Sequence, residues 1–329
     1  MKPVAITMGC PVGIGPEIIL RFFDSLSEAE AAASPVVLGD LGVLRRTAAL
    51  LGSKSLPVAW QEGQQIRPGT VPVLELSHLD ADNLQWGQPT QETSLAMSWY
   101  ILRAAKIALA GDCSAVVTCP ISKKALHEAG VNYPGHTEML AELTKTSRFR
   151  MMLAGARLRV VLVTIHEPLA KVSGMLAVEN ILDCIRMTAD SLRHDFGIAK
   201  PRIAVAGFNP HSGEQGMFGR EEIEIIDPAV RQYAGNAEVS GPWPPDTIFY
   251  KAANGAFAAV VCMYHDQGLI PFKLLHFQDG VNVTLGLPIV RTSVDHGTAY
   301  DIAGRGLADA ASLRAAWQMA MEIARNRAR

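Results

Sequence analysis

The chain is predicted to fold as an α/β protein, on three observations. Short apolar runs of strand length recur at residues 4–8, 36–39, 115–119, 158–164, 203–207, 258–264 and 281–285. Most are separated by stretches with helical spacing, at 16–23, 90–110, 179–196 and 309–328. At 329 residues the chain exceeds the usual size of a single core, which predicts either two lobes or one large α/β barrel.

The elements carry their own signals. Pro16 sits at the first position of the first helix, where a missing N–H costs nothing. In the helix at 90–110, Ser94, Met97, Ile101 and Ala105 fall on one face. Between the first strand and helix runs Gly9-Cys10-Pro11-Val12-Gly13-Ile14-Gly15-Pro16-Glu17, whose backbone amides can approach an anion or nucleotide. It lacks the spacing of the dinucleotide fingerprint and the ending of a phosphate-binding loop, so a tight structural turn reads equally well. At Pro134-Gly135-His136-Thr137-Glu138 a short helix over 138–143 is expected. Thr137 either caps it or joins His136 in presenting donors to a phosphate or carboxylate.

Composition narrows the function classes. Hydrophobic residues at 49%, charged residues at 19% and a net charge of -2 describe an ordinary globular protein with no electrostatic reason to bind nucleic acid or an anionic membrane. The first residues are too soon interrupted for a signal peptide, and no apolar run reaches spanning length, so a cytoplasmic location is expected. Five cysteines, mostly in apolar runs, do not form the pattern of a disulfide framework; Cys10 and Cys119 fall in loops, where packing suffices to explain them.

Three histidines sit where apolar strands run out: His166 after the run at 160–165, His211 after 203–210, and His265 after 258–264. In a parallel sheet the carboxyl ends of strands share one rim, and three imidazoles converging there would hold a divalent metal with positions open for water or substrate. Each histidine alone is compatible with a loop or core role; the repeated placement points to the metal. Beyond His265, Lys273 on a segment over 269–275, Asn282 and Arg291 would suit a doubly anionic substrate, or else are a solvated lysine, a turn asparagine and a surface arginine.

In the stretch His296-Gly297-Thr298-Ala299-Tyr300-Asp301-Ile302-Ala303-Gly304-Arg305-Gly306 small residues are expected to bracket a short helix whose amino end lies open to a ligand, although a plain turn and helix cap would use the same residues. This stretch resembles the adenosine-side cofactor loop of the β-decarboxylating dehydrogenases of the isocitrate and isopropylmalate type. Within that superfamily MGCPVGIGPE, PGHTE, TIHEPL, FNPHSGE, YHDQG, VNVTLGLP and RTSVDHGTAYDIAG, spanning nearly the whole chain in order, resemble the 4-hydroxythreonine-4-phosphate dehydrogenase family of vitamin B6 biosynthesis. That family usually has aspartate where this chain has Cys10.

The resemblance implies two α/β/α lobes with a cleft between them, the first formed by residues 1–130 and 290–329 and the second, with the metal ligands, by 131–289. It implies His166, His211 and His265 as ligands of zinc, magnesium, manganese or cobalt. His136, Thr137, Lys273, Asn282 and Arg291 would contact the substrate, and His296, Gly297, Thr298, Ala299 and Asp301 would face NAD or NADP. A homodimer whose active site borrows residues from both subunits is implied as well. The reaction would oxidise the secondary alcohol of 4-phosphooxy-L-threonine and release the neighbouring carboxylate as carbon dioxide, with Lys273 or Asp266 as general base. Relatives acting on threonate or erythronate 4-phosphate, or on cyclic diol carboxylates, share the histidine and HGTA motifs. A metal-dependent hydrolase on a barrel would also gather histidines at strand ends, but leaves HGTAYDIAG without a role. An acyltransferase on the same fold would not need three such histidines, and a sugar-phosphate sensor would bind without turnover.

Overall fold

A computed structural model describes residues 2–31 and 35–329. The chain divides into two compact units, Met1–Ser147 with Leu287–Ala324, and Arg148–Gly286 with Arg325–Arg329. Residues 131–147, expected in the second lobe, therefore belong to the first unit, because α6 packs on α4 of that unit.

In chain order the first unit begins β1 (Val4–Thr7), α1 (Gly15–Asp24), α2 (Glu28–Ala31), β2 (Pro35–Asp40), α3 (Leu41–Leu51), β3 (Leu56–Ala59), β4 (Thr70–Ser77), α4 (Gln91–Leu109), β5 (Ala115–Thr118), α5 (Lys123–Glu128) and α6 (His136–Leu143). The helix boundaries follow local chemistry. Asp40 caps α3 by accepting from Val43 N–H at 2.9 Å, Gly52 ends it at φ 59, and Thr90 and Thr93 close a reciprocal capping box on α4.

The second unit runs β6 (Arg150–Ala154), β7 (Arg159–Leu162), α7 (Leu169–Met175), α8 (Val178–His194), β8 (Arg202–Ala206), α9 (Asp227–Arg231), β9 (Glu238–Trp243), α10 (Pro245–Ala253), β10 (Ala259–Cys262), α11 (His265–Leu275) and β11 (Val281–Leu285). The chain returns to the first unit with β12 (Arg291–Val294) and α12 (Ala311–Arg327).

In the first unit the strand order is β3-β4-β2-β1-β5-β12, every pair parallel. Its central strands β1, β2 and β5 are mostly apolar because both faces are covered; Ala5, Val36, Leu38 and Val116 pack against Ala104 and Ile107 of α4. The second unit orders its strands β11-β6-β7-β10-β8-β9. There β6 runs antiparallel to both neighbours, while β7, β10, β8 and β9 are mutually parallel. Its core gathers Leu153, Val160, Leu162, Ala204, Val260 and Cys262 under Ile248 and Phe272.

The strands β3, β4, β6, β9 and β12 were not legible as apolar runs, and α11 starts at His265 rather than at Leu269. The expected helix within 296–306 does not form. The backbone there makes turns, with Ile302 N–H bonded to Ala299 O and Arg305 N–H to Ile302 O, because Ala299, Gly304 and Gly306 take positive φ and break the helical run.

Buried polar side chains tie the strand ends together. Gln267 accepts from Met263 N–H at 2.7 Å and donates to Gly207 O at 2.6 Å, so one amide spans the ends of β10 and β8. Substituting Gln267→Leu strands a buried donor and a buried acceptor, and is expected to lower unfolding free energy by about 2–4 kcal/mol. Denaturant titration beside Gln267→Glu checks this, and an unchanged midpoint in the leucine variant would show that the brace carries no stability.

Candidate active site

In the second unit the three parallel strands β7, β10 and β8 are immediate neighbours, so the residues that follow them leave from one rim. The strand pairing continues past the strands themselves. Val163 N–H bonds to Cys262 O at 2.9 Å and the Thr164 hydroxyl to Met263 O at 2.7 Å, which carries His166 up beside His265. Their ring centroids lie 5.6 Å apart, with planes inclined by 42°. Nδ1 of His265 lies 2.7 Å from Oδ1 of Asp266. That contact fixes the proton on Nδ1 and leaves the Nε2 lone pair for a ligand, the arrangement in which an outer carboxylate orients a metal-bound histidine.

His211 stands differently. It opens a run in which His211, Ser212, Glu214 and Gln215 all take positive φ, and its ring lies 6.3 Å from Phe218. Such a run is costly for side chains with a Cβ and must be held from outside. Glu222 anchors the segment that leads into it: this buried carboxylate accepts from the N–H groups of Phe208 and Asn209, each at 2.7 Å, and from Asn209 Nδ2 at 3.0 Å. Glu222 reaches inward from a single wide helical turn, Glu222–Ile226, just ahead of Pro228. Among the described residues no three His, Cys, Asp or Glu side chains gather as a metal cluster within one chain. The His166 and His265 pair with Asp266 suits a divalent cation by its donor chemistry, and supplies two of the ligands such an ion takes.

Lys273 lies on the helix that His265 opens, and Asn282 on another element of the same unit. Lys273 is in the last turn of α11 with its ammonium 5.8 Å from the Phe277 ring, and Asn282 lies on β11 opposite Leu153 of β6.

The first unit carries a separate constellation. Arg291 starts β12, yet its side chain runs along β5 to donate to the Thr118 hydroxyl at 2.8 Å. It is 3% exposed, and burial pushes its pKa down to about 10 against the opposing pull of Glu138. His136 begins α6, and Gly135, not Thr137, is the residue at the cap. Thr137 is therefore inside the first turn, where its hydroxyl and N–H are available to a bound anion. Burial, and then the charges of Arg291 and Lys123, hold the His136 imidazole well below the usual histidine range, so it is neutral. Its Nε2 is shut off from solvent with no hydrogen-bond partner. Lys123 and Thr118 were not singled out from the sequence; a lysine in a helix-start pair and a strand threonine carry no local signal of a site.

The glycine-rich loop and the 296–306 stretch lie against each other within this unit. Ile14 N–H bonds to Thr298 O at 3.1 Å, Cys10 Sγ lies 3.3 Å from Tyr300 Oη, and the buried Glu17 accepts from Gly304 N–H at 2.5 Å. Burial pushes the Cys10 thiol up, so a neutral sulfur meets the tyrosine. His296 bonds through Nδ1 with Gly297 O at 3.1 Å, and Asp301 follows in the turn. A Cβ at Gly297 would meet nothing within 4 Å and its φ is not positive, so the loop offers open backbone and does not need glycine for its own conformation. Open backbone of this kind fits the close approach of a nucleotide.

Comparison with known proteins bears on these constellations. The family profile described as "Pyridoxal phosphate biosynthetic protein PdxA" matches residues 31–320. The chain is 55% identical over 327 residues to a 4-hydroxythreonine-4-phosphate dehydrogenase of Desulfosudis oleivorans, covering 98% of this chain and 96% of that one. It is 43% identical over 328 residues to a D-threonate 4-phosphate dehydrogenase of Salmonella typhimurium, covering 98% and 99%. Among solved structures, the 4-hydroxythreonine-4-phosphate dehydrogenase of Klebsiella pneumoniae superposes with a TM-score of 0.89 at 42% identity, covering 98% of this chain and all of that one. With its family profile matched over most of its length and relatives this similar end to end, the chain belongs to the PdxA family of pyridoxal phosphate biosynthetic proteins.

Proposed function

We propose that this protein is a 4-hydroxythreonine-4-phosphate dehydrogenase, which oxidises the secondary alcohol of 4-phosphooxy-L-threonine and decarboxylates the product to 3-amino-2-oxopropyl phosphate. The observation that carries the reading is that one chain holds both a desolvated arginine beside a neutral imidazole whose Nε2 is unpartnered and a histidine pair of which His265 is oriented by Asp266. The relative that is 55% identical bears the same activity in its name, whereas the threonate phosphate relative stands at 43%. A bound NAD or NADP would accept the hydride, and a divalent cation would act as Lewis acid on the alcohol and on the carbonyl that follows.

The chain's own residues do the rest. Arg291, His136 and Thr137 bind an anionic end of the substrate, where low local dielectric strengthens each hydrogen bond. Lys273 and Asn282 contribute further substrate contacts. Either Asp266 or Lys273, the latter as its neutral amine, would take the alcohol proton. His166, His265 and His211 supply nitrogen ligands to zinc, magnesium, manganese or cobalt. His296 to Asp301 lie along the cofactor, with Gly297 at the point of closest backbone approach.

The same reading includes a homodimer. On α11, which opens with His265, Ile270, Leu274 and the following Phe277 are 67%, 86% and 78% exposed, an apolar stripe that a second copy would cover. A site shared between subunits accounts for the two-histidine cluster of the single chain. Among the described residues no helix is long and apolar enough to cross a membrane, and all five cysteines are buried and free, which suits the reducing cytoplasm.

Three measurements test this. Titrating metal-stripped protein with zinc should show His265→Ala losing tight binding and Asp266→Asn weakened by about 10- to 100-fold. Undiminished binding in His265→Ala would exclude that ligand. Replacing Gly297→Val should raise the KM for NAD or NADP by about tenfold or more with an unchanged Tm, since the added side chain meets open space. An unaltered cofactor KM would remove this loop from the site. Placing a charge at Leu274→Glu should yield a monomer by sedimentation and abolish turnover together, whereas an active monomer would show that one chain suffices.

A further inference from the structure

Lys123 opens α5, where the Ser122 hydroxyl accepts from Ala125 N–H at 3.2 Å, but its side chain crosses toward the start of α6. A Cβ at Gly135 would lie 3.2 Å from both Lys123 Cε and Glu138 Oε2 and 3.7 Å from Lys123 Nζ, so the glycine leaves the space that the lysine shares with that carboxylate. The next residue is His136, whose Nε2 is buried and has no partner. An unmet buried imidazole nitrogen is unfavourable and is satisfied when a ligand supplies the missing bond. Two cations, Arg291 and Lys123, and one carboxylate, Glu138, act on this spot.

The charges decide what kind of anion fits. Glu138 offsets Arg291, so the arginine by itself would face a dianion with little net positive charge; Lys123 restores an excess. From this geometry we propose that Lys123 is a further substrate-binding residue, its ammonium contacting the phosphate of the substrate at the amino end of α6 together with His136 and Arg291. The helix contributes its first N–H groups and positive end to the same phosphate. This rests on the reading of His136 and Arg291 as an anion site. It adds the ligand class, a phosphate monoester dianion in preference to a carboxylate.

Calorimetric titration of the wild-type dimer and of Lys123→Met and Lys123→Arg with inorganic phosphate, alongside acetate, tests it. Expected are phosphate binding by the wild type stronger than acetate binding, a loss of about tenfold or more in Lys123→Met, and retention within about threefold in Lys123→Arg. The Tm should be unchanged, because Lys123 is exposed and its helix is capped by Ser122. The KM for the phosphorylated substrate should rise in Lys123→Met while that for NAD or NADP stays fixed. Phosphate bound equally by wild type and Lys123→Met would overturn the role of Lys123 and leave the anion site standing. A wild type that does not bind phosphate would overturn both.

Discussion

Parallel strand pairing, in sheets covered on both faces, is the constraint from which the rest of this structure follows. Parallel neighbours such as β7, β10 and β8 point their carboxyl ends the same way, and their side chains are committed to the core on both sides. Much of the chemistry is thereby moved to the segments just past the strands, with Thr118, Asn282 and Arg291 left on the strands themselves. In the second unit those segments bear His166, His265 and His211. In the first they bear the glycine-rich loop after β1, Ser122 and Lys123 after β5, and the 295–306 turns after β12.

A rim built of loops would be loose unless something fixed it, and the fixing is done by buried polar side chains. Gln267, Glu222, Asp40 and Glu17 each accept from backbone N–H groups that have left the sheet's ladder. These bonds satisfy donors that would otherwise be buried unmet, which is why a carboxylate such as Glu222 can lie in the interior beside a backbone run that is itself unfavourable. Arg291 shows the complementary case. Its guanidinium is carried into a desolvated position by β12, and burial, reinforced by the charges of Arg291 and Lys123, keeps His136 neutral, so the imidazole adds an uncharged donor or acceptor beside the cations and not a competing charge.

The helix α11 links chemistry to assembly. It begins at a histidine whose tautomer is set by the adjacent Asp266, carries Lys273 in its last turn, and displays Ile270 and Leu274 to the outside. A partner that covered that stripe would pack on the same helix that carries both groups.

The sequence by itself determined the α/β class, the strands β1, β2, β5, β7, β8, β10 and β11, and the helices α1, α4, α8 and α12, since these depend on period and local hydrogen bonding alone. It determined, through resemblance, which histidines and cations to examine. Tertiary structure decided what depends on distant partners. The edge strand β3 and the polar strand β9 acquire their identity from pairing with β4 and β8, not from their own hydropathy. Residues 131–147 join the first unit because α6 finds α4, and the 296–306 stretch stays in turns because positive φ at Ala299, Gly304 and Gly306 breaks the helix its small residues suggest. Lys123 and Thr118 become part of the site only when β5, α5 and α6 converge on Arg291, more than 160 residues along the chain from either. Local patterns encode elements, whereas the field and hydrogen-bond partners that make a side chain functional come from residues far away in sequence.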